Sequence, residues 1–305
     1  MIRFLSRSAA LGSPLLAAGI FIGLLAPALA HALRSVLLAD VLVMTVLVLM
    51  RVDIAATFAL LRRPLRLGGM VAFHLLACPV IAWLVVLPLH LDPGIAAGVV
   101  IFATGCALLS GSAFARLLGL DPELALLVML ATTLLVPLTA PPIVAALTGV
   151  NLAIGLFAFM FRLALMVGIP ALVSTALRRT RLMQSGPVLD GALVWLLVVY
   201  GIGVMDGLTA RLLADPGWVV QATIAAFAVD FGLNAITTLA FARAGWREAA
   251  SAGLISGNRN MALYLAVLPA AADPRIGLFF AICQFPTFLS PFLLQPVLRL
   301  FRRAR

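Results

Sequence analysis

The chain is a succession of apolar runs, each roughly 20 residues or longer, separated by short polar joins. Lipid offers no partner to backbone N–H and C=O groups, so a run of that length crosses a bilayer as a helix, which satisfies them internally. Ten spans can be read, over about 10–32, 36–57, 67–89, 93–118, 121–147, 152–177, 187–210, 216–242, 247–270 and 275–301. Charged residues make up 10% of the sequence, against about 25% in an ordinary soluble domain, and no soluble domain fits between the runs. Proline and glycine punctuate the joins, as in "HLDPG", "GLDPE", "ADPGW" and "ADPRI". The expected fold class is an all-α polytopic membrane protein.

The net charge is +10, and arginine supplies all of the fixed positive charge because lysine is absent. In a membrane chain this reports orientation, and no nucleic-acid partner is expected. With ten spans and the N-terminus inside, sixteen arginines fall on the cytoplasmic side and three, Arg34, Arg211 and Arg275, on the other. That asymmetry predicts a multi-pass protein with both termini cytoplasmic. The N-terminus resembles a signal peptide, with Arg3, Arg7 and a cleavable-looking "ALA". Its apolar run, from about Ala9 to Leu33, exceeds the ~7–15 residues of a leader core, so an uncleaved first helix is expected. Cys78, Cys106 and Cys283 show neither a disulfide framework nor metal-ligand spacing and read as packing residues.

An internal echo divides the chain. "ALLSGSAFARLL" (107–118) resembles "GLISGNRNMALYL" (253–265), and an Asp-Pro turn and a long proline-containing span follow each. Ser110 and Ser256 are 146 residues apart, and the two spans run in opposite directions, as in an inverted-topology repeat. Glycine among polar groups in mid-span breaks a helix, and such breaks survive only inside protein or beside a watery cavity. Two breaks at corresponding places in two halves point to a transporter's substrate site. The alternative is close helix packing through small residues.

Arg259 is the most informative residue. Its guanidinium stays charged and must face an acid, backbone carbonyls, water or an anionic ligand. Asp230 in span 8, with Asn234 one turn on, is the evident internal partner. One reading makes Arg259 and Asp230 a buried structural pair. The other sets Arg259 at a substrate cavity as an anion ligand. His74 in span 3 is either a satisfied interior group or a proton-responsive one. Arg162 reads as structural, snorkelling or paired with Asp190 or Asp206, and Thr132 and Thr133 as bonding their own helix. The candidate substrate-binding set is Arg259, Asn258, Asn260 and Gly257 at the span 9 break with Ser110 and Ser112 at the span 4 break. Asp230, His74 and Asn234 are candidates for charge pairing or proton coupling.

Ten spans, two breaks and "GNRN" in span 9 resemble the bile acid:sodium symporter family. The likeness is closest from about Val71 to Pro142, with "CPVIAWLVVLPLHLDPGIAAGVVI" and "ATTLLVPLTAPPI", and from about Glu248 to Pro296. The resemblance implies two inverted five-helix repeats, with helices 4 and 9 broken and crossing. It implies a panel of about 1–66 and 148–212 and a core of about 67–147 and 213–305, with substrate bound between them beside the crossing. It also implies a place in the bacterial inner membrane.

The sodium positions of that family are altered here. A Ser-Asn pair at the span 4 crossing corresponds to Gly111 and Ser112, and Ser and Thr of span 5 to Ala125 and Met129. The glutamate that serves both sodium sites corresponds to Ile255. A span 3 glutamine corresponds to His74, and the glutamine of a Gln-Asn pair to Arg259, with Asn260 retained. Sodium is a hard cation that needs oxygen ligands, and most are replaced. The expectation is that the Arg259 guanidinium takes the electrostatic place of sodium in a secondary active transporter moving a small organic anion by alternating access. No cofactor is expected, and the use of sodium and the oligomeric state stay open. A conventional sodium-coupled symporter is one alternative, and a non-transporting membrane sensor or receptor another. An enzyme is not expected, since no catalytic His/Asp/Glu cluster is apparent.

Overall fold

The computed structural model describes residues 12–50, 64–149, 155–178, 186–267 and 272–303. The leader-like start with Arg3 and Arg7, together with Arg51, Arg62, Arg63, Arg179, Arg181 and Arg305, lies outside these residues. Among the described residues the regular structure is helical, with one isolated backbone bridge besides. In chain order the helices are α1 (Gly12–Leu25), α2 (Pro27–Arg34), α3 (Leu37–Met50), α4 (Leu65–Leu89), α5 (Pro93–Thr104), α6 (Gly111–Leu117), α7 (Pro122–Thr148), α8 (Leu156–Leu177), α9 (Gly186–Gly203), α10 (Leu208–Ala214), α11 (Pro216–Ala240), α12 (Trp246–Gly257), α13 (Ala262–Val267) and α14 (Pro274–Arg303).

Six helical stretches are long and apolar enough to cross a membrane: α4, α7, α8, Val188–Ala214, α11 and Pro274–Arg299. A seventh is counted if α2 and α3, which meet at 69°, form one bent span. Large apolar side chains such as Leu84, Leu134, Phe157, Leu172, Ile224 and Leu239 face outward, as a chain in lipid requires. The chain is a multi-pass membrane protein by this measure. Expected spans 4 and 9 are each two short helices, α5 with α6 and α12 with α13, so neither is a single spanning helix.

The Asp-Pro joins work as helix starts. Asp92 Oδ1 accepts from the N–H groups of Gly94 (2.9 Å) and Ile95 (3.3 Å) at the start of α5. Asp121 Oδ1 does the same for Glu123 (3.1 Å) and Leu124 (3.0 Å) at the start of α7. An Asp N-cap followed by proline at the first helical position satisfies otherwise orphaned donors and presets the helical φ. Asp215 and Asp273 accept from the N–H groups of Trp218 and Arg275 in the same manner.

The helices gather into two compact units, Met1–Val52 with Ala164–Val219, and Asp53–Leu163 with Val220–Arg305. In the first, α9 lies along α1, α2 and α3. Asp206 there accepts from Arg34 at 2.9 Å and lies 3.3 Å from the His31 ring. In the second, α5 is buried on nearly every side, as an all-apolar helix must be, and packs on α4, α7 and α14. Arg162 is exposed on α8.

Candidate functional site

All of the sequence-predicted site residues lie in the second unit. The chain unwinds after Thr104 and again after Gly257, and the two unwound stretches run antiparallel against each other. Leu108 N–H donates to Asn258 O at 3.0 Å, and Asn260 N–H donates to Cys106 O at 2.9 Å. The span 9 break falls on Asn258–Met261, which takes in the last three residues of the predicted "SGNRN". The span 4 break differs from expectation: it is Gly105–Leu109, and Ser110, Gly111 and Ser112 already open α6. The predicted Ser-Gly-Ser stretch therefore starts the second half-helix, and the crossing backbone belongs to Cys106, Ala107 and Leu108.

The breaks leave helix-end groups that must be satisfied within the protein. Ala107 N–H donates to Thr132 Oγ1 at 3.1 Å, and that hydroxyl donates to Met129 O in its own helix, also at 3.1 Å. Thr132 thus does more than bond its own helix. Asn258 Nδ2 donates back to Leu254 O at 2.9 Å, and Asn260 Oδ1 accepts from Ala262 N–H at 3.2 Å. Ser290 Oγ on α14 donates to Asn258 Oδ1 at 2.8 Å. Tyr264 in α13 and Thr104 at the end of α5 join the second half of one broken span to the first half of the other by a 2.7 Å hydroxyl contact.

Arg259 closes the arrangement. It is 1% exposed. Nε donates to Ser256 O (2.7 Å), and Nη1 donates to both Gly105 O (2.7 Å) and His74 O (3.1 Å). The His74 carbonyl is available because α4 carries a π turn over Phe73–Ala77, which shifts the usual helical bonding. Two helix C-termini, those of α5 and α12, end at this point. Each carries about half a negative charge, and one guanidinium offsets both. Of the partners open to Arg259 in the sequence, the structure shows backbone carbonyls. The expected Asp230 pair is not made, since Asp230 Oδ1 and Arg259 Nη2 both lack a partner. Backbone carbonyls hold the cation instead.

No family model and no curated protein matches the chain.

His74 is 1% exposed. Its Nε2 lies 3.1 Å from Gly105 O, which can only accept, so Nε2 carries the hydrogen. Nδ1 is then the acceptor for Ser256 Oγ at 3.4 Å. This places His74 as a satisfied interior group beside the guanidinium. Asp230 is fully buried on α11, and its Oδ2 accepts a hydrogen bond from Thr287 Oγ1 at 3.4 Å.

Gly257 is a packing residue. A Cβ there would lie 2.5 Å from Asp230 O, and one at Gly253 would lie 2.5 Å from Asn234 O and 2.0 Å from Thr238 Oγ1. "GLISG" is thus a small-residue face on which α11 lays its Asp230, Asn234 and Thr238 row. Asn234 is half-buried there. Ser110 and Ser112 are partly exposed, away from the backbone bridge.

Sequence reasoning missed Thr287 and Ser290, although Gln284, Thr287 and Ser290 recur at every third position of one helix. It also missed Asp40 in the first unit, which is 7% exposed with Oδ2 unpartnered.

Proposed function

We propose that the chain is a secondary active transporter of a small organic anion, built like the bile acid:sodium symporter family, in the bacterial inner membrane with both termini cytoplasmic. In this reading ten spans form two inverted repeats, a panel takes about 1–66 and 148–212 and a core about 67–147 and 213–305, and the substrate is moved by alternating access. The observation that carries it is the antiparallel pairing of two helix breaks around one buried guanidinium. Unwound backbone at membrane depth is the usual setting of ion and substrate sites in secondary transporters. Arg259 stands where the family's sodium-coupled members use glutamine beside sodium, and its three carbonyl partners form the kind of oxygen cage a metal cation would occupy. The transporter therefore does not couple through the family's usual sodium sites.

The unpartnered donors Arg259 Nη2 and Asn260 Nδ2 are the groups through which the crossing would hold a carboxylate or similar oxyanion. A thermal-shift screen of the purified protein against organic anions, with and without sodium, tests this. Stabilisation by one class of anion that Arg259→Gln abolishes supports it. Equal stabilisation of the variant makes Arg259 purely structural. Binding without uptake into proteoliposomes favours a receptor.

A further inference from the structure

Among the described residues of the second unit three buried polar side-chain atoms lack partners: the donors Arg259 Nη2 and Asn260 Nδ2 and one acceptor, Asp230 Oδ1. Asp230 is 0% exposed and Arg259 1%. An ionised carboxylate so enclosed, with one long hydrogen bond from Thr287, would be left largely unsolvated, whereas a protonated one is neutral and tolerable there. A hard metal cation is a poor occupant. It needs a cage of several oxygens, and among the described residues no three His, Cys, Asp or Glu side chains come together to form one. The neighbour of Asp230 Oδ1 is Gly257, where a Cβ would lie 3.1 Å from that oxygen. Among the described residues, the charged and titratable groups that face the carboxyl are Arg259, from the break between α12 and α13, and Cys283, from α14. His74, the other proton candidate, has both ring nitrogens engaged.

Resting on the transporter reading above, we propose that Asp230 carries the coupling proton and competes with the anionic substrate for Arg259. In the state described, the carboxyl is protonated and Nη2 is free for an oxygen of the incoming anion. When the proton leaves to water, the carboxylate it leaves behind takes the guanidinium as its own partner, and the anion loses its ligand. The same movement draws the guanidinium from the Gly105 and His74 carbonyls, which loosens the crossing. Proton and anion thus favour each other's binding, and the coupling is reciprocal.

Infrared difference spectra of the purified chain in lipid nanodiscs, recorded through a pH step with no organic anion present, test the proposal. The expected result is a neutral-carboxyl band at neutral pH that Asp230→Asn deletes and Asp230→Glu shifts in frequency. Asp40→Asn, which alters the buried acid of the other unit, leaves that band in place. A spectrum unchanged by both Asp230 variants at every pH overturns the proposal. So does failure of Asp230→Asn to purify as folded protein, because asparagine matches the neutral acid in shape. The spectra contain no substrate, so a failed anion screen leaves them standing, and a failed proton assignment leaves anion binding standing.

Discussion

Arg259 Nη1 donates to the carbonyl oxygen of Gly105 at 2.7 Å, so a side chain from one helix break closes the C-terminal end of the other. The same nitrogen reaches His74 O, and Nε reaches Ser256 O. Lysine keeps the charge but lacks the planar fork that addresses separate carbonyls together. Arg259→Lys should therefore lose one or two charge-assisted hydrogen bonds and about 3 kcal/mol of stability. A thermal or denaturant melt in detergent checks this, and an unchanged midpoint would mean that the fork geometry is dispensable.

The α11–α12 contact depends on the absence of side chains at Gly253 and Gly257. A Cβ at either would come within 2.5 Å of backbone oxygen on α11, which a packed helix pair cannot absorb without moving. Gly253→Ala and Gly257→Ala should each destabilise by about 1–3 kcal/mol. Gly232→Ala, with nothing within 4 Å of the new Cβ, should be neutral or stabilise by up to about 1 kcal/mol. Melting midpoints of the three variants side by side give the comparison.

His74 supplies Gly105 O with a second donor and Ser256 with an acceptor. Glutamine offers both groups on a side chain of similar reach, so His74→Gln should stay within about 1 kcal/mol of the parent. His74→Leu leaves both partners buried and unmet and should cost about 1–3 kcal/mol. If the two variants melt together, the ring's hydrogen bonds contribute nothing.

The helices and the span 9 break were legible in the sequence for simple reasons. Apolar runs of membrane length have few alternatives to helix, and Gly257-Asn258-Arg259-Asn260 is too polar to continue one in lipid. The span 4 break was misplaced because "GCALL" is small and apolar. Its unwinding is stabilised by groups from elsewhere: Asn258 O, Asn260 N–H, Arg259 and Thr132. No local pattern announces such partners. The sequence admits an acid, backbone carbonyls, water or an anion as the partner of Arg259, and it cannot single out the carbonyls of Ser256, Gly105 and His74, because every residue carries one. The Asp-Pro joins were read as punctuation, and their capping role was there to be read from Asp followed by Pro. Arg34, Arg211 and Arg275, the three exceptions to the arginine asymmetry, each sit against a carboxylate: Asp206, Asp215, and Asp92 with Asp273. The pairs Arg34–Asp206 and Arg275–Asp92 become visible only when distant segments are brought together, whereas Arg211–Asp215 and Arg275–Asp273 lie within four residues of each other in sequence.

The central proposal is that the guanidinium of Arg259 stands in for a bound sodium ion at the crossing. Uptake into proteoliposomes of an anion found by the binding screen, with sodium replaced throughout by choline, tests it most directly. A built-in cation predicts the same uptake in both salts, and a strict requirement for sodium would contradict it.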